Sequence, residues 1–368
     1  MIPANAEAAE VFPRVLHVSP FPFSLSGANR SMLTLVREMA GRGHTYVFAP
    51  ASGQLTDLAA EYGAVVGYAY EVWPSVRVVR GLWTILSLMR FARKFDVQII
   101  NAHSAIANHY CRYAARFLGI PLVTHQRDTY SNDYFHSDLE AADRIVSISD
   151  FVHDCLPPAL KTKSSVIHNP VWIDSEQRLL SVSYSSSRLR IGMAARCTPD
   201  KGHDVFLKAA LPLIESHGVV IEIWGVDGEY ENTIRRMVSD YNASLWPSVR
   251  FEPFRKDVGE FYRRMDIVVS PSTYPEPMGR VPIEAMAWKK PVIASDSGGQ
   301  SELLRWNTDA IFENGDADEL RSKLIHLVEN PILRETVGNQ GFKYVTANHS
   351  HVSYCDQMLS LYIDLIGR

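Results

Sequence analysis

The sequence predicts an α/β chain built as two doubly wound domains in tandem, and three observations carry the prediction. From residue 14 onward, short apolar runs alternate with amphipathic stretches, the rhythm of a parallel sheet covered by helices on both faces. A serine-rich stretch without periodicity, "SVSYSSSR" (181–188), interrupts that rhythm, and a second βα series follows it. The 368 residues give length for about two domains.

"RVLHVSP" (14–20) reads as the first strand and "ANRSMLTLVREMA" (28–40) as a helix, with Met32, Leu35, Val36 and Met39 on one face. Gly41 and Gly43 supply its stop. Further strands are expected at 45–50, 97–104, 121–125, 144–149 and 164–171, with helical segments between most of them. The second series begins at "RLRIGMAA" (188–195) and continues at 219–225, 248–254, 266–272, 291–295 and 309–315. The domains are therefore expected at residues 1–178 and 179–350, with the serine-rich stretch in the linker. Ligands of such sheets bind beyond the carboxyl ends of the strands, so the chemistry is sought there.

Composition excludes several classes. A net charge of -4 and a pI near 6.4 argue against nucleic acid as a partner. Cys111, Cys155, Cys197 and Cys355 are scattered, with no disulfide framework and no zinc spacing, which fits a reducing, cytoplasmic setting. The first residues lack a basic segment followed by an apolar one, and no stretch reaches the roughly 18 apolar residues of a spanning helix. Neither a signal peptide nor membrane insertion is expected.

"RCTPDKG" (196–202) follows a strand and precedes the helix "HDVFLKAALPLI". Arg196 and Lys201 then stand at a strand's carboxyl edge beside the free amides of a helix start, where a diphosphate is doubly favoured. The alternative is that Asp200 caps the helix while both cations are solvated. In "EPMGRVPIE" (276–284), Glu276 sits at the mouth of a helix and Glu284 more than a turn inside it. Carboxylates are good acceptors for hydroxyls, so two of them flanking an anion site suit a ligand with phosphates in the middle and hydroxyl-rich groups at both ends. A nucleotide-sugar has that shape. The alternative makes Glu276 a favourable charge at a helix start and Glu284 an ordinary helical residue.

Together these segments resemble the family-4 retaining glycosyltransferases of the GT-B fold. Their signature pairs a Glu-x7-Glu motif with a P-V-I-A-S-x-x-G-G-x-x-E segment, read here as Glu276, Met278, Gly279, Glu284-Ala-Met-Ala, "PVIAS", Gly298, Gly299 and Glu302. Met278 replaces the usual aromatic residue, and "WKK" replaces a glycine-containing turn. "MAARCTPDKGHDVFLKAA", "GVDGEYENTIRRMV", "SGANRSM", "AADRIVSISDFV" and "VIHNPV" resemble other family segments in the right order, so the likeness covers nearly the whole chain.

The resemblance implies two Rossmann-like, doubly wound domains facing a central cleft. The first would bind the acceptor and the second the nucleotide-sugar, and the helix at 351–368 would pack back onto the first. It implies that Arg196 and Lys201 neutralise the diphosphate, that Glu284 holds ribose hydroxyls and Glu276 sugar hydroxyls, and that backbone around Met278, Gly279 and Arg280 reaches the donor. Gly27 and Ala28 would let the first loop approach the diphosphate. His103 would face the donor sugar, although "NAHS" puts Asn101 where the family often has a histidine. Arg196, Lys201, Glu276 and His103 are the catalytic candidates.

The implied activity is hexosyl transfer from a nucleoside-diphosphate sugar to a hydroxyl acceptor with retention, in cell-envelope polysaccharide or glycolipid synthesis. Neither cofactor nor metal is expected, because two cations and helix-end amides can stabilise the leaving diphosphate. "DAD" (316–318) opens a helix and is read as an N-cap rather than a metal motif. A phosphorylase or epimerase on the same fold, or a catalytically silent sugar-nucleotide-binding subunit, are the alternatives.

Two further segments carry partner readings. His125, Arg127 and Asp128 in "THQRDTY" follow a strand and are candidates for acceptor contact; the alternative is that the histidine at the strand end merely satisfies a nearby carbonyl. Residues 72–96 combine Trp73, Trp83 and Phe91 with Arg77, Arg80, Arg90, Arg93 and Lys94. Such a helix either packs on the sheet with its charges solvated or lies on the inner, anionic face of a membrane. On the second reading the acceptor is lipid-linked.

Overall fold

In the computed structural model, residues 12–23, 26–70, 77–129, 138–179, 188–253, 255 and 257–367 are described. The linker stretch 180–187 and residues 72–76, Trp73 among them, lie outside these.

The first sheet has seven parallel strands in the order β3-β2-β1-β4-β5-β6-β7. They are β1 (Val15–Val18), β2 (Thr45–Ala51), β3 (Val65–Tyr70), β4 (Ile99–Ala102), β5 (Leu122–Gln126), β6 (Arg144–Ser147) and β7 (Ser164–Val166). The second has six parallel strands in the order β10-β9-β8-β11-β12-β13. These are β8 (Arg190–Ala194), β9 (Val220–Trp224), β10 (Val249–Glu252), β11 (Ile267–Ser270), β12 (Val292–Ser295) and β13 (Ile311–Phe312). Every expected strand is present. β3, "VVGYAY", is the one that the apolar pattern misses. It is an edge strand with Tyr68 on the solvent side, so it lacks the continuous apolar run of its buried neighbours.

Each sheet has one place where the winding reverses. β1 pairs with both β2 and β4, at Val15↔Thr45 and Val15↔Ile99. In the same way β8 pairs with β9 and β11, at Ile191↔Ile221 and Ile191↔Ile267. The segments leaving β1 and β4, and those leaving β8 and β11, therefore flank the crevice in which doubly wound sheets bind ligands.

The chain divides into one compact unit of residues 1–148, 152–170 and 351–368, and another of 149–151 and 171–350. The division at 170/171 precedes the expected 178/179 because Val171 already bonds within the second unit, its N–H donating to the His349 carbonyl at 2.8 Å. The helix His351–Ile366 belongs to the first unit. Its Tyr354, Met358 and Tyr362 pack among Val15, Leu35, Ile99, Val123 and Val146, and Asn101 Nδ2 donates to the Tyr362 hydroxyl at 2.5 Å.

The helix Val281–Ala287 ends where "WKK" replaces the family's glycine-containing turn, and Lys289 takes a left-handed φ of 54°. A non-glycine residue there costs roughly 1–2 kcal/mol. Two contacts of the side chain offset it: Nζ lies 4.9 Å over the Phe342 ring and donates to the Arg178 carbonyl at 3.2 Å.

Candidate functional site

In the second unit, the segments after β8 and β11 close around a pocket of about 170 Å³. Lys201, Ser272, Glu276, Gly279 and Arg280 line it together with Ala194 and Ala195. The first segment makes a short 3-10 turn, Pro199–Lys201, and then Gly202 turns left-handed at φ 71° into the helix His203–His217. Only glycine fits here, since a Cβ would stand 1.9 Å from the Pro271 carbonyl oxygen of the other segment. No side chain caps the start of this helix, which leaves its first-turn amides to an anion. Asp200, the alternative cap, instead accepts from the N–H of Thr273 at 3.0 Å through its carbonyl and pairs with Lys201 at 3.3 Å through its carboxylate.

Lys201 and Glu276, 75 positions apart, meet at 2.6 Å between Nζ and Oε1. The same oxygen accepts from Ser272 Oγ at 2.7 Å. Arg196 is exposed and pairs with no carboxylate among the described residues. Glu284 is held from both sides, by Arg280 Nε at 2.9 Å and the Tyr262 hydroxyl at 2.8 Å. The loop carrying Glu276 is stapled to the turn after β12: Glu276 N–H donates to the Ser297 carbonyl at 3.3 Å, and Gly299 N–H to the Glu276 carbonyl at 2.7 Å. Met278 is buried in this loop.

Glu302, the last glutamate of the motif, has a structural task. Its two oxygens accept from the N–H groups of Asp150 and Phe151 at 2.9 and 2.5 Å. Asp316 caps the helix Ala317–Glu329, accepting from Asp318 N and Glu319 N at 2.9 Å each, as the N-cap reading of "DAD" expects. Tyr262, Ser272 and Gln300 were not singled out from the sequence. Serine, glutamine and tyrosine are ordinary residues whose role here comes from chain segments that meet only in the fold.

In the first unit, Gly27 and Ala28 open the helix Gly27–Ala40, which is capped by Ser26. The segment before it is pinned by buried Asn29, which accepts from Ser19 Oγ at 2.7 Å and donates to the Phe21 carbonyl at 2.8 Å. After β4 and β5 the structure departs from expectation. His103 and His125 are each 1% exposed, stacked with ring centroids 4.6 Å apart, and contact neighbouring side chains rather than open space. Arg127 donates to the His103 carbonyl at 3.1 Å and to Asn169 Oδ1 at 2.6 Å, while Asp128 is exposed.

The tautomers follow from Arg127, which can only donate. Its Nη2 lies 3.4 Å from Nδ1 of both His103 and His125, so both Nδ1 atoms accept. His103 Nε2 then carries the proton and donates to His17 Nδ1 at 3.0 Å. The Nε2 groups of His17 and His125 are buried and have no hydrogen-bond partner among the described residues. Burial lowers the pKa of His17 to about 3, and burial beside Arg127 pushes those of His103 and His125 well below the usual histidine value. The three rings are held neutral, packed against one another and against Arg127.

Comparison with known proteins bears on both units. A family model described as Glycosyltransferase Family 4 matches residues 25–175, and one described as Glycosyl transferases group 1 matches 184–344. An uncharacterized glycosyltransferase of Methanocaldococcus jannaschii is 28% identical over 205 residues, 55% of this chain and 54% of that one. The GDP-mannose-dependent monoacylated alpha-(1-6)-phosphatidylinositol monomannoside mannosyltransferase of Corynebacterium glutamicum is 31% identical over 166 residues, 44% of this chain and 43% of its own. The chain thus spans about half the length of these two relatives. The UDP-Gal:alpha-D-GlcNAc-diphosphoundecaprenol alpha-1,3-galactosyltransferase of Escherichia coli is 23% identical and aligns over 96% of this chain and 97% of its own.

Among solved structures, Anabaena HepE in complex with UDP matches with a TM-score of 0.79 at 21% identity, over 96% of this chain and 100% of that one. A glycosyltransferase from Rickettsia africae matches with a TM-score of 0.81 at 20% identity, over 97% and 99%. These likenesses share the fold. With one family model over each half, in the order in which the two sheets occur, the chain belongs to the family-4 glycosyltransferases of the GT-B fold.

Proposed function

We propose that the protein moves a hexosyl group from a nucleoside-diphosphate sugar to a hydroxyl of a glycan or lipid-linked acceptor, with retention at the anomeric carbon and without a metal, in cell-envelope polysaccharide or glycolipid synthesis. The observation that carries the reading is the meeting of Lys201 and Glu276, 2.6 Å apart beside an uncapped helix start. A cation and open amides suit the diphosphate, and an adjacent carboxylate suits sugar hydroxyls. The named activities of the Corynebacterium and Escherichia coli relatives, both toward lipid-linked acceptors, support the substrate class.

In this reading the C1–O bond to the diphosphate breaks while the acceptor oxygen bonds C1 on the same face. A donor phosphate oxygen takes the acceptor's proton. Arg196, Lys201 and the amides of the helix start stabilise the charge that grows on the leaving group. Glu276 grips sugar hydroxyls and Glu284 ribose hydroxyls. Arg127 and Asp128 offer acceptor contacts, and His103 and His125 enter as the buried array that orients Arg127.

The test is incubation with UDP-, GDP- and ADP-sugars, with and without a polyprenyl-diphosphate glycoside, followed by NMR of the product linkage. Transfer with the donor's own anomeric configuration is expected. Inverted product, or donor consumption independent of acceptor, refutes the reading.

A membrane surface is part of the proposal. No helix among the described residues is long and apolar enough to cross a membrane. The helix Arg77–Lys94 buries Thr84, Leu88 and Ala92, yet exposes Leu82, Trp83 and Leu86 around its middle and Arg90, Arg93 and Lys94 towards its end. That combination suits an interface with anionic headgroups, where each cation contributes about 1 kcal/mol. Reversing all three cations to glutamate is expected to reduce sedimentation with phosphatidylglycerol vesicles at least tenfold, while wild type ignores phosphatidylcholine. Equal sedimentation of both forms would remove the membrane from the proposal.

A further inference from the structure

Beneath the Glu276 loop lies a buried polar relay that connects it to Gln300. Gln300 is fully buried, and its Oε1 accepts from Ser270 Oγ at 2.8 Å at the end of β11. Its Nε2 donates to Ser295 Oγ at 2.6 Å, and to the Ser295 carbonyl at 3.2 Å, at the end of β12. Ser295 Oγ in turn donates to the Ser272 carbonyl at 2.6 Å. Ser272 Oγ then donates to Glu276 Oε1, the oxygen that also meets Lys201.

The direction of this relay is determined by its chemistry. A carbonyl only accepts, so the single proton of Ser295 Oγ goes to Ser272, and that hydroxyl must accept from Gln300. The amide nitrogen therefore faces Ser295 and the amide oxygen faces Ser270. Gln300 also packs under the far end of the loop: Gly279, at φ 77°, leaves a gap that a Cβ would close to 2.9 Å from Gln300 Cβ. One side chain thus braces both ends of the segment from Ser272 to Gly279.

We propose that Gln300 is a positioning residue for Glu276: by donating to Ser295 it directs that hydroxyl's proton onto the Ser272 carbonyl, which places Ser272 and, through it, the carboxylate that grips the donor sugar. The inference rests on the reading of Glu276 given above. A glutamine that only fills space would not require the amide's donor to face Ser295.

Gln300→Glu separates these roles because it keeps the shape and makes the donation to Ser295 Oγ depend on protonation. As a carboxylate, Glu at this position can only accept, so Ser295 turns its proton toward it and releases Ser272. As a neutral acid its single O–H donates to Ser295 Oγ while its other oxygen accepts from Ser270, so the relay is restored and only the longer bond to the Ser295 carbonyl is lost. Wild type and variant are titrated at pH 6 and pH 8.5 with UDP-glucose and GDP-mannose, each beside its free nucleoside diphosphate.

For the nucleotide-sugar that binds, the variant's affinity at pH 8.5 is expected to fall about tenfold relative to wild type and to recover at pH 6. Affinity for the free nucleoside diphosphate should stay within about twofold of wild type at both pH values. Gln300→Met, apolar and of similar volume, should lose the sugar-dependent part at both pH values and guards against a poorly folded glutamate variant. A variant-to-wild-type ratio that is the same at both pH values, or an equal loss for nucleotide and nucleotide-sugar, would overturn the positioning role. If wild type bound neither nucleotide-sugar nor nucleotide, the functional reading would fail, and this inference with it.

Discussion

Lys201→Ala is expected to abolish the thermal stabilisation that a nucleoside diphosphate gives the wild-type protein. A ligand at a hundred times its Kd stabilises the folded state by about 2.7 kcal/mol, which for a unit of this size raises Tm by roughly 5–10 °C. Lys201 lines the pocket with its ammonium, which is already drawn to the carboxylates of Glu276 and Asp200 at 2.6 and 3.3 Å. Removing it leaves Glu276 and Asp200 without the cation that meets both of them, beside the place where the phosphates would sit. Repulsion then adds to the lost attraction. In turnover, the same change removes stabilisation of the leaving group, and kcat/KM should fall by about 10²–10³-fold. An undiminished thermal shift in the variant would sink the assignment of this pocket to the diphosphate.

The second large effect is acid lability of the first unit. His17, His103 and His125 are neutral when folded, with His17 at about 3. In the unfolded chain each titrates near 6.5. Their folded pKa values are lowered, so the stability they permit is intact above pH 6.5. Below that, the unfolded chain takes up protons that the folded one refuses. The loss grows as pH falls from 6.5 toward the folded values.

Between pH 7 and pH 5 the His17 ring alone costs about 2 kcal/mol, and His103 and His125 add to the loss in the same direction. Arg127, beside two of the rings, keeps its charge throughout and opposes protonation of either. Urea unfolding at the two pH values checks this. His125→Gln should make the pH dependence shallower, whereas identical midpoints at pH 7 and pH 5 would contradict the neutral array.

The strands were legible because buried parallel strands are short apolar runs bounded by turns, and β3 escaped because an edge strand need not be. Lys201, Glu276 and Glu284 were legible as charges placed where a sheet's carboxyl edge meets a helix start. Their partners were not: Tyr262 reaches Glu284 from another element, and Ser272 reaches Glu276 across a non-helical loop whose conformation residue type does not encode. His103 shows a different limit. Its place after β4 is real, but a linear motif cannot reveal that two other histidines and an arginine converge on the same ring.

The helix His351–Ile366 completes the apolar core under β1, β4, β5 and β6, although the whole second unit separates it in the chain from those strands. During synthesis the second unit has all its residues before the first does. Until Tyr354, Met358 and Tyr362 arrive, Val15, Ile99, Val123 and Val146 lack part of their cover. The second unit can therefore reach its native state while the first waits, and truncation at the far end of the chain strikes the unit built from its beginning.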